Sequence, residues 1–447
     1  MEAALATVGA NVAPGDPSEV LRAGGGVYDT PWTRDASLNS WLAVSQLDPG
    51  LARATLLAVT EEVDGVRLVA PDDQWWDQML WAVAAEHHYR VSADLDFLAE
   101  AYGIAARSMA VRERDSLVDG LFRGPAVMQD GTSGYPTQLL DPALVHESFV
   151  LLHSRLPHVV TLSTNLAHVA AYDALAAMAH ALDLDPGPHR DAAAALRSEV
   201  ERVFWSDEAG SYSFLVEPAT GARYEHEEAL GVALAVLTGA AGPQRASMIL
   251  RRLHRSPHGV VNLWPHLDGY DDEHPGRHNA MCWPMVMGLC AWAGAVAADV
   301  ETFGADLARL SQLLDSSDGQ FELYDAVTGG VHGGWQAGRS WRSEPDQTWS
   351  ATALLGAVLH GLVGLRPGTE GLRFAPVVPA DLDGATLTGL PYRGAVLEVS
   401  TSGSGAHLVE VRVDGVAVPV DAPVHVAGSA TGRVLVELRC AQTEGET

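Results

Sequence analysis

Cysteine is scarce in this chain, and its three copies, Cys282, Cys290 and Cys440, fall at no metal-ligand spacing and leave an odd count for disulfide pairing. Reduced thiols and no metal site are expected. Basic residues are few as well: 28 Lys and Arg stand against 57 Asp and Glu, a formal charge of −29. Such a surface repels nucleic acid and anionic membranes and favours a neutral ligand over a phosphate-rich one. No uncharged apolar run reaches 18 residues, and the N-terminal MEAALATVGANVAPGDPSEV has no basic segment followed by an apolar one. A soluble, cytoplasmic protein is the expectation. Also absent are a phosphate-binding loop, a G-x-S-x-G elbow and a G-x-G-x-x-G turn, because AGGG at 23–26 fits none of them. Nucleotide and serine-hydrolase chemistry are therefore unsupported, and no cofactor is expected.

Apolar residues make up 47% of the chain, enough for a sizeable core. From Arg34 to about Gly364, apolar residues recur at i, i+3, i+4 and are broken by Gly, Pro and Asp, which predicts eleven helices: 36–47, 51–62, 74–90, 94–111, 165–182, 188–204, 227–237, 244–254, 280–297, 300–314 and 347–362. They pair as hairpins. Three connections are long and rich in Gly, Trp, Pro and carboxylates: 117–164, 254–279 and 315–346. Long loops in a compact domain usually carry function. Paired helices with the long loops on one side describe a toroid of two concentric helical rings, with the loops converging on one cleft. After Gly364 the pattern becomes alternating apolar and polar, punctuated by Asp-Gly and Ser-Gly turns, which predicts a small antiparallel β-sandwich. The division expected is 1–25 as an N-terminal extension, 26–365 as the helical barrel and 366–447 as the sandwich.

Several stretches carry residue types suited to sugars. VYDTPWTRDASLNSW, 27–41, sets Trp32, Arg34 and Asp35 beside a helix start. An indole packs on the apolar face of a pyranose, while guanidinium and carboxylate bond its hydroxyls. The same residues also suit simple capping by Thr33 or Asp35 with Arg34 paired on the surface. DDQWWDQMLW adds Gln74, Trp75, Trp76 and Asp77, one of the two indoles being expected in the core. NLWPHLDGYDDEHPGRHNAMCWP adds Trp264, His266, Arg277 and His278, its histidines too irregularly spaced for a metal. GGWQAGRSW contributes Trp335 and Arg339.

The segment LVGLRPGTEGLRFAPVVPADLDGATLTGLPYRG, 362–394, resembles the junction between helical barrel and C-terminal β-domain in carbohydrate-active enzymes with an (α/α)6 barrel. WTRDASLNSW resembles the sugar-contacting Arg-Asp segment early in such barrels, and 163–182 and VFWSDEAGSY resemble a helix pair and its end. The resemblance touches most of 26–394. It points to the inverting six-hairpin glycosidases, which include trehalase, glucosidase I-like and rhamnosidase-like enzymes, and implies an exo-acting glycoside hydrolase on a neutral carbohydrate.

Inverting hydrolysis needs a protonated carboxyl over the leaving oxygen and a carboxylate activating water on the opposite face, about 6.5–9.5 Å apart. By the resemblance, Asp130 in MQDGTSGYP, ahead of the helix near Asn165, takes the place of the general acid, although the Gly-Trp-Asp surroundings of the trehalases are absent and a plain Asp-Gly turn is the alternative. Glu322 in FELYDAVTGG resembles the Glu of an FxExYDPxTG-like segment that serves as general base. Glu344, flanked by Trp341 and Trp349, is the alternative base, and Glu228 in YEHEEALG the alternative acid. Both also suit an acidic helix start. Two other readings stay open: a phosphorylase, epimerase or lyase on the same barrel, the only suspect histidine pair being His266 and His278, or a non-catalytic sugar-binding protein.

Overall fold

The computed structural model describes residues 1–425 and 432–442. Six helices form an inner ring: α2 (33–47), α4 (Leu80–Ser92), α6 (Leu162–Ala181), α8 (Ala229–Leu237), α10 (Pro284–Val296) and α12 (348–362). Each touches the next, and α12 returns to α2, so the ring closes. Six outer helices lie against them: α1 (Glu2–Ala10), α3 (Pro49–Ala58), α5 (Leu95–Ser116), α7 (Gly187–Phe204), α9 (Pro243–Arg252) and α11 (Val300–Asp315).

The composition of each helix sets its ring. In α8, ALGVALAVL, every residue from Ala229 to Val236 is buried, as a helix that is apolar all round must be. In α9, PQRASMILRR, only Ala246, Ile249 and Leu250 are buried, one stripe at i, i+3, i+4. Inner helices meet closely through small residues. A Cβ on Gly288 of α10 would lie 2.7 Å from Cβ of Ala353 on α12, and one on Gly356 would lie 2.9 Å from the carbonyl oxygen of Leu42 on α2.

The sixth outer helix is a finding. Residues 1–25, which read in sequence as an extension, contain α1, and α1 packs on α12. Asn11 secures its end, donating through Nδ2 to the Asp346 carbonyl at 2.7 Å and to Thr348 Oγ1 at 2.9 Å. The α4 helix starts at Leu80, later than the sequence pattern implied, because Asp72 and Asp73 adopt positive φ (46° and 59°) and bend the chain into a turn.

The tail differs from the expected antiparallel sandwich. Its described residues form an antiparallel pair, Leu365–Pro367 with Leu372–Phe374, and a five-stranded sheet in the order β1 (Thr386–Tyr392), β2 (Ala395–Ser402), β5 (Arg433–Ala441), β3 (His407–Val413), β4 (Val416–Val418), with β2 and β5 parallel. Burial alternates along β2 and β5, so one face is covered. Alternation reveals that a face is covered but not by what. Here the barrel contributes to the cover: Gln46 Nε2 of α2 donates to the Pro391 carbonyl at 2.7 Å, and Arg393 donates to the Arg90 carbonyl of α4 at 2.8 Å. Both contacts sit at the C-terminal ends of inner helices, away from the end where the long loops gather.

Candidate active site

Where the inner helices begin, a cavity of about 430 Å³ opens, a size typical of small-ligand sites. Its walls come from the segments just before α2, α4, α6, α10 and α12, and include all three long loops. The inner helices thus point their partly positive N-terminal ends toward it.

The α2 start supplies Trp32, Arg34 and Asp35. The backbone N–H of Thr33 donates to Asp72 Oδ2 at 2.6 Å, so the helix is capped from another segment and both side chains of the Arg-Asp pair are left for the cavity. Arg34 donates to Gln74 Oε1 at 2.6 Å and Asp77 Oδ2 at 2.9 Å and lies 3.6 Å from Asp130. It also faces the Trp349 ring at 5.4 Å. Burial pushes the Asp35 carboxyl up to about 7 despite Arg34, and likewise the Asp77 carboxyl up to about 6.

Asp130 stands in the first long loop between two donor sets. On Oδ2 it accepts from Gln74 Nε2 at 3.0 Å, with Arg34 behind, and on Oδ1 it meets His278 Nε2 at 3.2 Å. Burial alone would raise this carboxyl, but Arg34, His278 and Arg277 outweigh it and hold it below the usual range.

Glu322 comes from the third long loop. Arg277 Nη2 pairs with its Oε2, and the Tyr28 hydroxyl donates to its Oε1 at 3.4 Å. Arg277 is itself fixed: Nη1 donates to the carbonyls of Gly333 at 3.0 Å and Arg342 at 3.2 Å, and its guanidinium sits 5.5 Å from the Trp283 ring. Glu344 lies beside Glu322, whose N–H donates to the Glu344 carbonyl at 2.9 Å. Arg342 is 3.9 Å from the Glu344 carboxylate, and the Arg342 side chain is 73% exposed at the mouth.

The sequence-selected residues divide into two groups. Trp32, Arg34, Asp35, Gln74, Asp130, Glu322 and Glu344 line one cavity. Trp75, Trp76, Trp264, His266, Trp335 and Glu228 do not. Trp76 is fully buried and Trp75 packs edge-on against it at 5.4 Å, both within a cluster that includes Tyr135 and Phe214. An indole pair in a turn between two Asp residues reads as a mouth, but the turn folds both rings inward. Trp264 stacks on His254 at 3.7 Å, and His266 bonds Asp272 at 2.9 Å. Trp335 leans on His274, while its strand neighbour Gln336 faces the cavity. Glu228 is wholly buried below α8, accepts from the Ser163 N–H at 3.2 Å, and is pushed by burial up to about 8.

Arg277 and His278 line the cavity too, as do Tyr28, Phe149, Trp283, Gln336 and Arg342. Tyr28 had a signal, since it opens the Trp-Thr-Arg-Asp stretch. Among the described residues, no three of His, Cys, Asp and Glu are placed to hold a metal ion, and no helix is long and apolar enough to cross a membrane.

No family model matches the sequence, and no curated protein matches it. Solved structures do match in shape. One titled a sialidase is 16% identical with a TM-score of 0.70, covering 92% of this chain, which spans only 38% of that one. A GH63 mannosylglycerate hydrolase from Thermus thermophilus, in complex with glucose, is 16% identical with a TM-score of 0.61, over 79% of this chain and 98% of that one. A GH78 family rhamnosidase of Bacillus sp. GL1 is 17% identical with a TM-score of 0.50, over 83% of this chain and 37% of that one. The closed double ring, the position of its cavity and these likenesses together give this chain the fold of the six-hairpin, (α/α)6-barrel glycosidases.

Proposed function

We propose that this chain is an inverting, exo-acting glycoside hydrolase acting on a small neutral glycoside, with Asp130 as general acid and Glu322 as general base. The observation that carries the reading is that these two carboxyls, from loops far apart in sequence, line one cavity of about 430 Å³ together with Trp32, Arg34 and Asp35. A cavity of that size suits a terminal sugar better than the middle of a polymer, and two solved neighbours are titled a GH63 mannosylglycerate hydrolase and a GH78 family rhamnosidase. Arg277 Nη2 pairs with Glu322 Oε2, so a cation stands beside the carboxyl assigned to take a proton from water. Asp130 starts as a carboxylate in the empty site, so it takes up its proton before turnover, and activity on unactivated glycosides is expected to favour acidic buffer. Asp35 carries a carboxyl near neutrality and hydrogen-bonds only its own backbone N–H among the described residues, which leaves it to bond a sugar hydroxyl.

A screen of aryl glycosides with Asp130→Asn and Glu322→Gln tests the assignment. Each substitution should lower kcat by about 10²–10⁴-fold on the sugar that the unaltered protein cleaves. Glu344→Gln should cost less than about tenfold. If Glu344→Gln abolishes turnover and Glu322→Gln leaves it intact, Glu344 is the base, and two fully active variants at 130 and 322 would overturn the whole assignment.

A further inference from the structure

His278 belongs to no part of the two-carboxyl scheme, yet it is built firmly into the wall of the site. Its side chain is 4% exposed, and its ring stacks on Trp283 at 5.3 Å. Its N–H donates to Ser133 Oγ at 3.0 Å and its carbonyl accepts from Asn262 Nδ2 at 2.9 Å. The Asp130 loop is shaped around it: a Cβ on Gly131 would lie 2.3 Å from His278 Cδ2, and one on Gly134 would lie 3.0 Å from His278 Cβ. Only Gly lets the loop come so near, and the approach leaves Nε2 of His278 3.2 Å from Asp130 Oδ1.

The two oxygens of Asp130 consequently have different partners. Oδ2 faces Gln74 Nε2 and the Arg34 guanidinium, both of which only donate. A hydrogen on Oδ2 would point at other hydrogens. Oδ1 faces an imidazole, which donates when its hydrogen is on Nε2 and accepts when it is on Nδ1, provided that the ring is neutral. Burial keeps it so, pushing its pKa down to about 3 against the pull of Asp130 and with the help of Arg277 and Arg34.

We propose that His278 is a positioning residue that makes Oδ1 of Asp130 the oxygen carrying the transferable proton, by being the one partner able to serve both the ionised and the protonated carboxyl. This rests on the reading of Asp130 as general acid. In the step itself, the Oδ1–H bond breaks as an O–H bond forms on the glycosidic oxygen, which keeps the electron pair of its broken bond to the anomeric carbon. Water adds to that carbon and gives its proton to Glu322. His278 gains and loses nothing overall.

The test uses leaving groups, because a glycosyl fluoride departs with little acid assistance whereas a methyl glycoside needs it. In His278→Phe, which keeps a ring against Trp283, kcat on the methyl glycoside of the cleaved sugar should fall about 10²-fold with KM changed less than about threefold. Turnover of the fluoride should stay within about threefold. His278→Gln, which retains an N–H donor, should show the same split more weakly. An equal loss on both substrates would mean a merely structural role and overturn the proposal. Asp130→Asn is the separate control, for if it shows no split between substrates the acid assignment itself fails. Should the Phe variant not fold, ¹⁵N NMR of the unaltered protein decides without turnover. His278 should be a neutral Nε2–H tautomer from about pH 5.5 to 8, and an imidazolium or an Nδ1–H tautomer in the empty site would contradict the account.

Discussion

The side chains that line the cavity hold one another more than they cap their own helices, and Arg34 is the hub. It joins Gln74, Asp77 and Asp130, and Gln74 in turn bonds Asp130, so the geometry of Asp130 depends on a segment distant in sequence. The choice posed by the sequence between a sugar-facing Arg-Asp pair and a surface pair resolves in an intermediate way: Arg34 is paired, but inside the cavity wall. Three further buried carboxyls, Asp35 (about 7), Asp77 (about 6) and Glu228 (about 8), have pKa values raised by burial. A carboxyl raised in the folded state binds more protons there than in the unfolded chain, so its stabilising effect is full below the unfolded value and is lost as pH rises through the folded one. The contribution of these three carboxyls should therefore decline between about pH 4.5 and pH 8, opposite in sign to that of the buried histidines His88, His168, His278 and His360, whose pKa values burial lowers. Glu228→Gln, which removes one of the three, should flatten that decline, gaining about 2 °C relative to the unaltered protein at pH 8 compared with pH 5 in thermal denaturation. Parallel curves for the two proteins would show that Glu228 does not carry the proton assigned to it.

At the level of elements, the helices were legible because burial imposes a period on the sequence, and the three long loops because so many Gly, Trp and carboxylate residues have no place in a helix. What joins those loops was not. The pairs Arg277 with Glu322, His278 with Asp130 and Tyr28 with Glu322 are contacts between distant segments with no local pattern to announce them. Trp75 and Trp76 misled for a physical reason, since the turn made by Asp72 and Asp73 aims them into a core cluster. That turn is testable. Asp72 caps α2 from outside, and Asp72→Ala should cost about 1 kcal/mol of stability and raise KM through a loosened Trp32–Asp35 segment, measured by denaturant unfolding alongside kinetics. Gly131→Ala should act on the other side of the cavity. Its Cβ would meet Gln336 Oε1 at 2.0 Å and the His278 ring, so kcat should fall at least about tenfold while circular dichroism stays unchanged.

For the whole molecule, the ring closes through both ends of the barrel sequence, with α12 meeting α2 and α1 covering α12. No single helix revealed this, and the apolar stripe of α1 is too weak for its outer-ring place to be read from pattern. Ala4, Thr7 and Val8 are its buried face, and removing residues 2–10 should lower stability by on the order of 3 kcal/mol, seen as a drop of about 3 °C in Tm. The five-stranded sheet stands at the other end from the cavity, so its loss should lower Tm without altering KM. Arg342 and Trp32 line the cavity with Asp130 and Glu322, the two carboxyls proposed to divide the chemistry between them. The most direct test of that division is proton NMR of the first sugar released, recorded before mutarotation. Product with inverted anomeric configuration is the result expected if Glu322 activates water opposite Asp130, and product with retained configuration would mean that Glu322 attacks the sugar itself and that the water-activating role is wrong.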